Sequence, residues 1–230
     1  MFPIHKFVFL ILLLIIVLGS TTASMIEAST PEEAWPLATQ SEADLDWLRM
    51  SKMKMAVWEV ANPMRADSVF HDQIFKTSPP PDVTTPVLDN TPLKFVQLFE
   101  LGNLSTLPNN PYYTAVQTIV SILFVPYSRA DSINIFGFLR YMQPTFELLL
   151  EQKDPRSLLL MAYWYSKLRE GMWWIERRAT LECQAICIYL ERYHAEETLL
   201  QELLQFPKII CGLGSSPRSS SLSNGNSARV

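Results

Sequence analysis

The sequence predicts an all-α protein, and three observations lead to this fold class. Glycine is scarce, at 7 of 230 residues, while proline reaches 16 and gathers in connecting stretches, as between helices with stiff linkers. Hydrophobic residues make up 48% of the chain, which is enough to build a core. Few segments alternate apolar and polar residues as strands do, and apolar residues recur instead at helical spacing.

The expected helices follow one another between breaks that contain proline, asparagine or glycine. They cover residues 42–61, with Ser41 as N-cap; 95–101; a helix from Pro111; 132–150, kinked or divided at Pro144; a buried helix capped by Asp154 and Pro155; 174–193, after a break at Gly171; and 196–204, ending at Pro207. These helices place one domain at residues 40–212. A proline-rich connector lies at 76–86, and the serine-rich residues 213–230 are predicted to be a disordered tail.

Residues 1–24 have the layout of a secretory signal peptide. Lys6 supplies a positive start, residues 7–18 are an unbroken apolar run, and the small residues that follow favour cleavage after Ala23. This run is shorter than the ~20 residues that a membrane-spanning helix needs, so membrane contact is expected only through residues 7–18. The alternatives are a buried first helix of a truncated domain and a mispredicted first exon.

Composition and motifs argue against several classes of function. The net charge of −4 and the pI near 5.4 do not predict a broad basic face for nucleic acid. Three cysteines do not describe a disulfide framework. No serine has a Gly-x-Ser-x-Gly setting, and nothing places a base beside a nucleophile. We therefore expect neither an enzyme nor a bound cofactor.

A metal hypothesis and a packing interpretation compete on the longest predicted helix. Cys183, Cys187 and His194 can share a helical face and, with Glu196 or Glu197, offer zinc ligands. Zinc sites more usually take close pairs of ligands from two segments. We therefore favour buried small hydrophobic residues at Cys183 and Cys187, and no metal.

Four aromatic residues flank the predicted break at Gly171. Tyr163 and Trp164 precede it, and Trp173 and Trp174 follow it. They can line a small apolar pocket between helices, but aromatic residues at helical spacing usually fill a core. Pocket and core both remain open, with the core favoured.

The chain carries several recognisable motifs. DPRSLLLMAYW occupies residues 154–164 and WWIERR occupies 173–178, while DWLR stands at 46–49, NNPYY at 109–113 and FGFL at 136–139. Together they resemble the C-terminal regulatory region of fungal zinc-binuclear-cluster (Zn2Cys6) transcription factors, the group that includes sterol uptake control proteins. The likeness covers about residues 40–212. It implies an all-α regulatory domain that acts in the nucleus on transcription, through protein partners or a small apolar ligand.

One difference from that family bears on mechanism. The family's DNA-binding module needs six cysteines that share two zinc ions. This chain has three cysteines and no Cys-x2-Cys, so the resemblance covers the regulatory half alone and direct nucleic acid binding is not expected. The leader supports the alternative hypothesis, a secreted or lumenal helical binding protein matured after Ala23.

Overall fold

The computed structural model describes most of the predicted helical domain. It covers residues 25–39, 44–62, 91–102, 109–123, 142–171 and 173–214, together with residues 14, 18, 19, 21, 22, 41, 66, 105, 135 and 137–139. Within these ranges the protein is helical and contains no strand, which confirms the all-α prediction. Most of the leader, including Ala23, lies outside the described residues. The same holds for the connector at 76–86 and for residues 215–230 of the predicted tail.

The helices surround one that is buried on every side. In chain order they are α1 (Asp46–Ala61), α2 (Leu93–Leu98), α3 (Tyr113–Leu123), α4 (Pro144–Glu151), α5 (Pro155–Arg169), α6 (Trp173–Tyr193) and α7 (Thr198–Ile210). Helix α5 packs along α6 and also contacts α3, α4 and α7. Every residue from Ser157 to Leu168 is buried, so α5 has the central position that its apolar sequence predicts. No helix in the described ranges combines the length and apolar character needed to cross a bilayer.

The predicted start of α5 and the predicted division at Pro144 are confirmed. The carboxylate of Asp154 accepts the backbone N–H of Ser157 at 2.8 Å, and Pro155 takes the first position of α5. Pro144 divides the predicted 132–150 helix, because α4 begins at this residue and Gln143 precedes it in extended conformation. Apolar residues on both sides of this proline are buried, at Ile135, Leu139, Met142, Phe146 and Leu150.

The predicted N-cap of the first helix is wrong. Helix α1 begins at Asp46 rather than after Ser41. Leu45, with a φ of 65°, adopts left-handed backbone just before it. The carboxylate of Asp44 still accepts the N–H of Ser41 at 3.1 Å, but both residues precede the helix.

The predicted stop at Pro207 is also wrong, because α7 continues through it to Ile210. A proline lacks the N–H that would reach the carbonyl four residues earlier, here that of Leu203. The hydroxyl of Tyr163 on α5 donates to this oxygen instead, at 2.8 Å. The buried carbonyl therefore keeps a partner, and the helix continues.

Helix α7 ends at a glycine. Gly212 has a φ of 88°, and its N–H donates to the carbonyl of Ile209 at 3.1 Å. The N–H of Leu213 donates to the carbonyl of Lys208 at 3.0 Å. These two bonds form a Schellman motif, in which glycine adopts the left-handed backbone with little strain.

Residues 25–35, upstream of the predicted domain, pack against α6. A short 3-10 helix at Pro31–Glu33 contacts α6, and Ala34 and Trp35 are buried beside it. The guanidinium of Arg177 donates to the carbonyl of Ala28 at 3.0 Å. The packed body therefore includes residues upstream of the predicted domain.

Candidate functional site

Trp164 lies at the centre of an aromatic cluster inside the fold. Its side chain is inaccessible to solvent, and its indole N–H donates to the carbonyl of Ile135 at 2.8 Å. Its ring stacks on Trp47 of α1, with centroids 6.0 Å apart and planes 8° apart. It also stacks on Phe138, at 5.3 Å and 26°. This cluster joins three segments that are distant in the sequence.

Tyr163 contacts a different set of rings. It meets Phe95 of α2 edge to face, with centroids 5.1 Å apart, and stacks on Phe206 of α7 at 5.3 Å. Burial raises the pKa of the Tyr163 hydroxyl well above its usual value, so the group remains a hydrogen-bond donor. Tyr163 thereby connects α5 to both α2 and α7.

The two tryptophans after the break are less buried. Trp173 is 84% exposed, and Trp174 is partly buried where it packs against the core. The structure therefore separates the four aromatic residues singled out from sequence. Tyr163 and Trp164 contact core rings, while Trp173 lies on the surface.

A buried ion pair lies at the interface of α5 and α6. Glu182 is 2% exposed. The guanidinium of Arg178 donates to one of its carboxylate oxygens, and the hydroxyl of Tyr165 donates to the other. Arg178 also lies over the ring of Trp47, 5.0 Å from its centroid, and donates to the carbonyl of Met25. The sequence did not indicate a buried ion pair here, because the burial of Glu182 depends on how α5 and α6 pack together.

Burial governs protonation in this ion pair. It raises the pKa of Glu182 by more than the guanidinium of Arg178 lowers it. Burial and the neighbouring carboxylate raise the pKa of Tyr165 well above its usual value. Both groups face the protein interior, where they hold α5 against α6.

All three cysteines of the chain meet between α6 and the end of α7. Cys183 and Cys187 lie one turn apart on α6, and Cys211 is the C-cap of α7. Their three sulfur atoms lie within 4.8 Å of one another. The residues are 1%, 0% and 2% exposed, respectively, and none is in a disulfide. We call this group the thiol cluster.

The zinc ligands considered from sequence do not come together. The Nδ1 atom of His194 lies 2.9 Å from a carboxylate oxygen of Glu197, and Cys211 rather than His194 completes the thiol cluster. Sequence reasoning missed Cys211 because it expected the last helix to end at Pro207. The apolar residues Ile209 and Ile210 beyond that proline were the available signal that the helix continues.

The thiols of the cluster shift one another's pKa values in opposite directions. Hydrogen bonds from Cys183 and Cys187 lower the pKa of Cys211 below its usual value. The contact with Cys183, the contact with Cys211 and then burial raise the pKa of Cys187. Of the two thiols, Cys211 is therefore the one whose ionised form is favoured, and Cys187 is the one whose ionised form is disfavoured.

Searches against models of known protein families, against curated proteins and against solved structures found no match for this chain.

Proposed function

We propose that this chain is a transcriptional regulator-like protein of the nucleus. It consists of the regulatory half alone and acts through protein or small-ligand contacts, without binding DNA through a zinc cluster. One observation carries the proposal: the segments that resemble the fungal regulators pack together. Trp47 of DWLR and Phe138 of FGFL both stack on Trp164 of DPRSLLLMAYW. Tyr112 of NNPYY donates its hydroxyl to Asp154 at 3.0 Å.

This packing gives the motifs a shared physical role. They are scattered along the sequence, yet their aromatic and capping side chains meet around α5. Residues that pack on one another constrain one another, so such motifs are the part of a regulatory domain that a relative would keep. The packing of these motifs into one core supports the proposal of a domain of the same type.

Two methionines on α1 suit a protein contact. Met50 is 46% exposed and Met53 is 71% exposed. Methionine is flexible and polarizable, and it is used often at adaptable binding surfaces. We therefore assign the protein contacts of the proposal to this side of α1.

A reporter assay tests the proposal. Residues 25–230 are fused to an unrelated DNA-binding module placed upstream of a reporter gene, and the expected result is a change in transcription relative to the module alone. Met53→Glu should weaken this change. Leu93→Glu is the matched control, because Leu93 is 70% exposed on a different helix. An unchanged reporter with a folded, nuclear fusion protein contradicts the proposal.

The alternative function is a secreted or lumenal helical binding protein. Its support is the signal-like leader, together with the contacts to α6 that begin at Met25, just beyond Ala23. A chain cleaved after Ala23 would keep these contacts. Sequencing the 5′ end of the transcript and the N-terminus of a C-terminally tagged protein separates the two functions. A mature N-terminus at Ser24 in the secretory fraction contradicts the transcriptional proposal, and a nuclear protein contradicts the alternative.

A further inference from the structure

We propose that Cys183, Cys187 and Cys211 form a binding site for a thiophilic ion with three sulfur ligands. The carrying observation is that the three sulfur atoms, supplied by two helices, lie within 4.8 Å of one another. A site of this kind differs from the zinc cluster of the fungal regulators in ligand number and place.

The spacing of the sulfur atoms fits three-fold coordination. With metal–sulfur bonds of about 2.3 Å, three ligands arranged around one ion lie about 4.0 Å apart. Sulfur atoms within 4.8 Å reach this distance through small shifts of the side chains. Cys183 and Cys187 are held one turn apart by α6, and Cys211 is positioned by the glycine-terminated end of α7.

The enclosure favours an ion that needs no fourth ligand. Among the described His, Cys, Asp and Glu side chains, the group contains these three sulfurs and no further member. All three residues are at most 2% exposed, so water has poor access as an additional ligand. Thiolate ligands select soft ions such as Cu(I), which accept few ligands, whereas structural zinc usually takes four.

The charge of the bound product distinguishes two candidate ligands, trivalent arsenic and Cu(I). Arsenous acid, As(OH)3, reacts with three thiols to form three As–S bonds and release three waters, and the product is neutral. Cu⁺ bound by three thiolates releases three protons and leaves a charge of −2. A buried charge is unfavourable without compensation, so the neutral trivalent arsenic product fits this enclosure better. Arsenite is therefore the first probe, and Cu(I) is the second.

The test uses the full chain, reduced with a phosphine, and arsenite alone. Native mass spectrometry should show one arsenic per chain, with a mass gain that matches one bound As(III) and the loss of three thiol protons. Because the chain has three cysteines in total, this signal comes from the thiol cluster. An ion that binds the folded chain in preference to the unfolded chain raises the Tm, whereas binding to unfolded thiols lowers it. We expect a rise.

Two variants locate the site. Cys211→Ser should weaken arsenite binding at least tenfold. Ser166→Ala should leave it unchanged, although the Ser166 hydroxyl lies 3.9 Å from the Cys183 sulfur. Where Cys211→Ser does not fold, the arsenic bound, the thiol protons lost and the Tm of the natural chain still decide. Binding of either arsenite or Cu(I) with a raised Tm supports the site. Failure of both probes, a lowered Tm with both, or unchanged binding by folded Cys211→Ser overturns it.

Discussion

At the residue scale, the hydroxyl of Tyr163 takes the place of the N–H that Pro207 lacks, because it donates to the carbonyl of Leu203. Tyr163→Phe leaves the buried carbonyl of Leu203 without this donor, and we expect a loss of about 1–3 kcal/mol in the free energy of unfolding. Pro207→Ala restores a backbone N–H at the same oxygen. Urea denaturation of both single variants and the double variant should therefore show a smaller effect of Tyr163→Phe in the Pro207→Ala background. An equal effect in both backgrounds contradicts this role.

The buried carboxyl of Glu182 makes stability depend on pH. Its folded pKa is raised by burial, while the unfolded value is about 4.3. Between these values the folded state holds a proton that the unfolded state releases, so stability falls as pH rises, by at most about 1.4 kcal/mol per pH unit. The free energy of unfolding of the natural chain minus that of Glu182→Gln should be constant below about pH 4 and should decrease as the pH rises above that value. Denaturation midpoints of both proteins, measured at several pH values, test this prediction. A difference that stays constant at every pH contradicts it.

At the element scale, the end of α7 depends on the left-handed backbone of Gly212. A Cβ at this position meets no atom within 4 Å, so Gly212→Ala tests backbone strain without a clash. We expect a loss of about 1–2 kcal/mol. Gly102→Ala is the matched control, because it also meets open space but lacks a positive φ, and it should be neutral or slightly stabilising. Thermal unfolding of both variants checks the prediction, and equal Tm values contradict it.

The elements that sequence predicted correctly are those with local causes. Asp154 caps α5 through an N–H three residues away, and Pro144 begins α4 because proline suits the first turn. At Pro207, by contrast, the carbonyl that α7 leaves without an N–H is bonded by Tyr163, which is far away in the sequence. The spacing of Cys183 and Cys187 within one helix likewise predicted that the two residues share a helical face, and this spacing is also a local feature of the sequence. Cys211 joins them only because α7 extends, so the full thiol cluster was not predictable from local patterns.

At the scale of the whole molecule, the motif tryptophans differ in what they hold together. Trp164 connects α5 to Trp47 of α1 and to Phe138, so removing its ring opens a cavity where three segments meet. Trp173 is 84% exposed and closes no such junction.

Trp164→Ala should therefore lower the free energy of unfolding by about 3–5 kcal/mol, a large part of the usual total of about 5–15 kcal/mol. Trp173→Ala should change it by no more than about 0.5 kcal/mol. Urea denaturation followed by far-ultraviolet circular dichroism compares the two variants on the same scale. Similar losses would mean that the core does not centre on Trp164. A large loss in the free energy of unfolding for Trp164→Ala alone would instead show that the whole fold depends on the contacts that Trp164 makes with Trp47 and Phe138.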